Sequence, residues 1–183
     1  MKIIVVGTGF VGLTHAAVCS EYGHEVYAYD IDAERIAAYS TGKAEAIERY
    51  VNEPGLPAIV AENLGRYLFF TNDLAPVIEG TDAIFLCLPT PPRPDGSSDL
   101  SAYFAGVNYL AQLLAARQDQ RRVVLINKST VPIGTARQLE SVLRDYQVPN
   151  AGVASNPEFL PEGDAVEKSR RPDRVVVGAD HEE

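Results

Sequence analysis

Ile3-Ile4-Val5-Val6-Gly7-Thr8-Gly9-Phe10-Val11-Gly12 is the stretch whose reading decides the fold of this chain. Four apolar residues run directly into glycines spaced Gly-x-Gly-x-x-Gly. That combination reads as a buried parallel strand, a tight turn and the start of a helix. Each glycine has its own task. Gly7 permits the sharp turn, Gly9 lets a pyrophosphate approach the backbone, and Gly12 lets the helix pack close to its strand. The helix N-terminus offers unpaired N–H groups and partial positive charge to the phosphates. Glycines at this spacing also mark ordinary turns, so the motif needs its surroundings.

Those surroundings agree with it. Leu13 to Gly23 reads as a helix closed by glycine, and His24 to Tyr29 as a second strand that ends in Asp30. Asp30 falls eighteen positions after Gly12, near the roughly 20-residue spacing of a carboxylate that meets the adenosine ribose. A carboxylate accepts from ribose hydroxyls and repels a 2′-phosphate, which favours NAD over NADP. Asp32 reads as the N-cap of a helix from Ala33. Arg35 complicates the cofactor choice, because a cation would meet a 2′-phosphate or equally lie flat against the adenosine.

The rest of the chain alternates strand and helix. Helices are expected at 33–39, 44–51, 57–64, 74–79, 100–116 and 136–145. Asp99 or Ser98 is expected to cap the helix from Leu100. Strands are expected at 67–70, 83–88, 123–127, 152–154 and 174–177. The alternation implies an α/β fold, a Rossmann-type doubly wound, mainly parallel sheet with helices on both faces. Its expected strand order is 3-2-1-4-5-6. Ligands of such a sheet bind at the carboxyl ends of the strands, where the order reverses. That rim would collect the glycine loop, Asp30, Thr90, Ser129-Thr130 and the loop Asn156 to Glu162.

Composition narrows the partners. The chain has 183 residues and a net charge of −9. The length suits one domain, and the acidic balance argues against a nucleic-acid partner. No stretch is long enough to cross a membrane. Met1-Lys2 leads directly into a strand with no signal pattern, so a cytoplasmic location is expected. Cys19 and Cys87 do not form a metal spacing and read as buried, inert thiols. His15, His24 and His181 are scattered, and none receives a role.

Two loops carry further candidate chemistry. Thr90, flanked by prolines, would touch the cofactor or merely stiffen its loop. Ser129 and Thr130 would cap the following helix, or Thr130 would bond the nicotinamide end or a reacting water. The loop Asn156-Pro157-Glu158-Phe159-Leu160-Pro161-Glu162-Gly163 holds two carboxylates four residues apart. On a ligand rim such a carboxylate would serve as a general base if burial raised its pKa.

Together these stretches resemble the nucleotide-sugar 6-dehydrogenase family, and within it the UDP-glucose 6-dehydrogenases. The matching segments are Gly7 to Gly12, Asp30 with Arg35, Asn52-Glu53-Pro54-Gly55-Leu56, Thr90-Pro91, Lys128 to Thr135, Asn156 to Leu160 with Glu162-Gly163, and Arg174 to Gly178. The resemblance implies a four-electron oxidation in which two NAD molecules in turn take hydride from C6 of the sugar. The alcohol becomes an aldehyde, then a thioester on a cysteine, and water releases the uronate. It implies that Gly7, Gly9, Phe10, Val11 and Gly12 form the cofactor loop and that Asp30 and Arg35 hold the adenosine ribose. Leu88, Thr90, Pro91, Ser129 and Thr130 would line the cofactor. Thr130 would help place the hydrolytic water, and Glu158 would be its general base. Phe159 and Leu160 would contact the nucleotide-sugar, and Glu162 would touch both cofactor and substrate. Pro161 stands in the substrate loop where the family commonly has a basic residue, so a charge and an N–H are missing there.

The family's cysteine nucleophile has no counterpart before Glu183. The chain is therefore expected to be the NAD-binding domain, residues 1–183, of a longer enzyme. Alone it would bind NAD without turnover. The complete protein would be a homodimer or larger, and an exposed apolar patch is expected near Glu183. Other nucleotide-sugars (GDP-mannose or a UDP-N-acetylhexosamine) and a free-standing NAD-binding module are the competing readings.

Overall fold

The segment Lys2–Val6 forms strand β1, and its side chains divide between two cores. Ile4 and Val6 enter one apolar cluster, while Ile3 and Val5 enter the other. A strand buried on both faces must be apolar at every position, which is why this run shows no alternation. In this computed structural model residues 1–119 and 121–179 are described, and His181 lies outside them.

Five further strands follow: β2 (Glu25–Tyr29), β3 (Leu68–Thr71), β4 (Ala83–Leu86), β5 (Val123–Asn127) and β6 (Ala151–Ser155). They form one six-stranded sheet in the order β3-β2-β1-β4-β5-β6, every neighbour parallel. This is the expected Rossmann-type order. Helices α1 (Phe10–Glu21), α2 (Ala33–Tyr39), α3 (Ala44–Glu48) and α4 (Leu56–Asn63) come from the first half. Helices α5 (Ser101–Ala115), α6 (Thr135–Asp145) and α7 (Ala165–Arg170) come from the second. Leu13 and Ala17 of α1 pack with Ile3 and Val5 on one face. Tyr103, Val107, Leu110 and Leu114 of α5 and Leu139 and Leu143 of α6 pack with Ile4, Ile84 and Leu125 on the other.

The structure corrects four expectations. The helix expected at 74–79 is a single 3-10 turn, Ala75–Val77. Pro76 supplies no N–H and Gly80 follows with φ +71°, so the turn has no room to lengthen. The helix expected at 44–51 stops at Glu48. No strand forms at 174–177. Gly178 alone pairs with Ser155, antiparallel, through N–H···O bonds of 2.8 and 2.7 Å in the two directions. Val175 and Val177 are 66% and 65% exposed, and an apolar edge with no layer over it gains little from pairing. Val176 and Phe159 are exposed nearby, so the expected apolar patch is present at this end. Finally, α7 was not anticipated. Its six residues hold only two apolar side chains, Ala165 and Val166, too few to show a period.

Asp99 does meet α5, although Leu100 holds the N-cap position. Its Oδ1 accepts from the N–H and hydroxyl of Ser101, at 2.9 and 2.6 Å. Among the described residues no helix is long and apolar enough to cross a membrane.

Candidate functional site

Parallel register puts the strand ends in one row. Thr71, Tyr29, Val6, Leu86, Asn127 and Ser155 are successive cross-strand partners. The residues that follow them (Asp30, Gly7, Cys87, Lys128 and Asn156) therefore leave the sheet along one edge. The predicted site residues, dispersed through the sequence, all lie on or just beyond this edge.

At its centre is the glycine loop. Gly7 has φ +94°, and a Cβ there would lie 2.4 Å from the carbonyl oxygen of Cys87. A Cβ on Gly12 would lie 1.8 Å from the carbonyl oxygen of Gly7. Those two glycines are required by the close approach of strand, turn and helix. Gly9 is different, since a Cβ there would meet nothing within 4 Å. Its open side faces away from the protein, at the N-cap of α1. The first intrahelical bond runs from Leu13 N–H to Gly9 O at 2.9 Å. The amides of Phe10, Val11 and Gly12 thus precede the ladder. Gly9 has no side chain to cap them, and the first turn holds no acidic residue. An open approach onto unbonded amides, with no carboxylate in the way, fits a pyrophosphate.

Asp30 borders this cradle. Its Oδ2 accepts from the Thr8 N–H at 2.8 Å, the Thr8 hydroxyl at 2.9 Å and Arg35 at 3.0 Å. Its Oδ1 accepts from the Asp32 N–H at 3.1 Å. Burial pushes the Asp30 carboxyl up, but these donors and the Arg35 charge outweigh it and hold it below its ordinary value. The group is an anion at neutral pH. Arg35 also reaches Asp32 at 3.7 Å and lies 5.4 Å over the Tyr50 ring. Asp32 accepts from the Arg35 N–H and caps α2, as expected. Two carboxylates, Asp30 and Asp32, thus face the Arg35 guanidinium.

The two middle loops are tied together. The Thr90 hydroxyl donates to Thr130 O at 2.7 Å, and the Ser129 hydroxyl lies 2.8 Å from Leu88 O and 3.1 Å from Leu86 O. Leu88 packs against α5, where a Cβ on Gly106 would come within 2.8 Å of it. Pro91 is exposed, and its carbonyl accepts from Asp99 N–H at 2.8 Å. The hydroxyls of Thr90 and Ser129 therefore first hold loop against loop. Thr130 stays exposed at the edge.

The Asn156–Gly163 loop closes the row. It borders a cleft of about 540 Å³ between α1, Lys128 and the segment around Arg174. Lys128 is 9% exposed and donates to Asn156 Oδ1 at 3.1 Å, while Asn156 Nδ2 donates to Val176 O at 2.9 Å. Burial lowers the Lys128 pKa, opposed by the groups facing it, Cys87, Glu158 and Cys19. Glu158 Oε2 accepts from Leu160 N–H at 2.6 Å, which curls the loop. Arg174 lies 4.8 Å over the Phe159 ring. Pro161 and Glu162 are exposed at the tip. Burial pushes Cys19 up to about 11 and Cys87 to about 12, so both are thiols at neutral pH. No metal-binding cluster occurs among the described residues.

Comparison with known proteins decides the family. Residues 1–183 match the NAD binding domain of the UDP-glucose/GDP-mannose dehydrogenase family. The UDP-glucose 6-dehydrogenase of Rhizobium meliloti is 39% identical over 98% of this chain. This chain belongs to that family. It spans about 40% of the length of the Rhizobium protein. A UDP-glucose dehydrogenase structure from Pyrobaculum islandicum superposes with a TM-score of 0.88 at 33% identity. It covers 98% of this chain and 41% of that one. A ternary complex of GDP-mannose dehydrogenase from Pseudomonas aeruginosa gives 0.89 at 28%, again over 98% and 41%. The cofactor of this family domain is NAD. The pair of carboxylates at Arg35 agrees, since a 2′-phosphate there would meet both Asp30 and Asp32.

Glu53, which the sequence marks only as part of a segment shared with the family, is 2% exposed and accepts from Gly163 N–H at 2.8 Å and Ala165 N–H at 2.6 Å. Its partners lie 110 and 112 residues away, beyond any local pattern. His15 was also given no role. It lies in the cleft wall, edge-on to Phe85 at 4.2 Å and 3.6 Å from the Cys19 sulfur.

Proposed function

We propose that this chain is the NAD-binding part of a UDP-glucose 6-dehydrogenase, which oxidises UDP-glucose to UDP-glucuronate. The observation that carries the reading is the row of strand ends. It sets an anion cradle, an ionised carboxylate and the Asn156–Gly163 loop along one edge. The UDP-glucose assignment draws on the name of the Rhizobium relative.

The amides at the start of α1 hold the cofactor pyrophosphate, across Gly9 and beside Phe10 and Val11. Asp30 accepts from the adenosine ribose hydroxyls, and Arg35 flanks the ring. Leu88, Thr90, Pro91 and Ser129 form the wall on the nicotinamide side. When bound, NAD supplies the hydride acceptor, and two are consumed for each alcohol taken to the acid. Thr130 orients the hydrolytic water and Glu158 takes its proton. Phe159, Leu160 and Pro161 face the nucleotide-sugar, and Glu162 meets both ligands. In this reading the acyl-carrying cysteine belongs to a further domain, and Cys19 and Cys87 serve only as half-buried, protonated thiols of this domain's framework.

A second reading, GDP-mannose as substrate, is favoured by the equal structural likeness to the Pseudomonas enzyme. The test is NADH formation by the complete reading frame that contains this chain, with UDP-glucose, GDP-mannose and UDP-N-acetylhexosamines offered in turn. Two NADH per UDP-glucose supports the proposal. Turnover of another sugar alone replaces the substrate, and no turnover of any favours a binding module.

A further inference from the structure

Glu53 is a buried carboxylate that caps a helix from the far side of the chain. Asp164 occupies the N-cap of α7 and makes no side-chain cap bond. The amides of Gly163 and Ala165 are taken instead by Glu53. A cap drawn from the adjacent residue would steady α7 wherever it lay. Burying a charge elsewhere is far costlier. What the distant carboxylate adds is position, because it fixes α7 against the segment that precedes α4. Arg170 repeats this at the other end, with bonds of 2.8 and 2.6 Å to Glu21 on α1.

The loop between β6 and α7 is thereby held at both ends by buried ions of opposite sign. Lys128 grips Asn156 where the loop begins. Glu53 grips Gly163, which has φ +88°, where it finishes. Glu158, Phe159, Leu160, Pro161 and Glu162 lie between those grips. We propose that Glu53 is a positioning residue, which sets the placement of the Glu158–Glu162 segment toward the cofactor edge. Glu53 touches neither ligand and acts only through the Gly163 and Ala165 amides. The inference rests on the reading of that loop as the one that meets cofactor and substrate.

The test uses this chain and its Glu53→Gln variant, which keeps the shape of the side chain but places an NH2 against one of the two amides. Residue-resolved amide exchange reads the loop, and titration with NAD and with ADP reads the edge. The expected result is a fall of about tenfold or more in protection at Leu160, with Val124 to Ile126 unchanged. NAD binding should weaken about fivefold while ADP, which ends before the nicotinamide ribose, stays within about twofold. Loss of protection confined to Gly163 and Ala165, or equal weakening of NAD and ADP, would overturn the proposal and leave a structural cap. If the unaltered chain binds neither ligand, the NAD reading falls and the exchange arm alone decides. Glu53→Asp, which keeps the charge but shortens the reach, replaces the Gln variant if that one does not fold, with the same expectations.

Discussion

Asp30 Oδ2 accepts two hydrogen bonds from Thr8, one from its N–H at 2.8 Å and one from its hydroxyl at 2.9 Å. The end of β2 and the glycine loop are therefore one unit. The residue that would meet the ribose is also the residue that shapes the phosphate cradle. Substitution at Asp30 should thus act on stability and on binding together. Asp30→Ala leaves the amides of Thr8 and Asp32 and the Arg35 charge without their acceptor. The expected cost is about 1–3 kcal/mol in denaturant unfolding, with at least about a tenfold loss of NAD affinity. Thr8→Val, which removes only the hydroxyl, should cost about 1 kcal/mol and leave NAD binding within about threefold.

Two glycines of the same motif should respond oppositely. Gly12→Ala places a Cβ 1.8 Å from a backbone oxygen, so strand, turn and helix must separate. Thermal unfolding should show a lowered or absent transition. Gly9→Val meets nothing in the protein at Cβ, and Gly9 sits at φ −70°. It should unfold within about 0.5 kcal/mol of the parent, as surface substitutions do, while losing NAD binding.

His15 should make the fold acid-sensitive before its carboxylates do. Burial and the Lys128 charge lower its pKa to about 3, so it is neutral in the folded state. Below about pH 6.5 the unfolded chain takes a proton there that the folded chain refuses. Stability present above that pH is lost as pH falls, by up to about 1.4 kcal/mol per unit. Asp30, already depressed below the ordinary Asp value, loses its share only at lower pH. Urea unfolding at pH 6.5 and 4.5 should show a clear drop in the parent and a flatter response in His15→Gln.

Thr90→Val tests the bond between the middle loops. The variant removes the donor to Thr130 O. The net cost should be about 0.5–1.5 kcal/mol. Binding should separate by ligand, with ADP unaffected and NAD weakened, because the proposed site puts this bond on the nicotinamide side.

The sheet was legible because its two central strands carry apolar runs that face both layers, Ile3 to Val6 in β1 and Ala83 to Leu86 in β4. Ile3 to Val6 feeding into Gly7 carries that pattern without help from distant residues. Asp30 was legible because it follows its own strand at a fixed distance from Gly12. Val175 to Val177 misled because three valines state a propensity, while pairing needs a layer over the edge. The helix Ala165–Arg170 went unread because Glu53, Glu21 and Val166 hold it through tertiary contacts. Glu53 and Lys128 stand in the sequence only as members of segments shared with the family, and the fold reveals that both are buried around the same loop.

The central claim is that the glycine loop and Asp30 form an NAD site. Calorimetric titration of the chain with NAD and with NADP, repeated on Gly9→Val, tests it most directly. The account predicts saturable NAD binding, NADP weaker by about tenfold or more since a 2′-phosphate meets two carboxylates, and no binding by the folded variant. NADP bound as tightly as NAD, or NAD affinity unchanged in Gly9→Val, would contradict it.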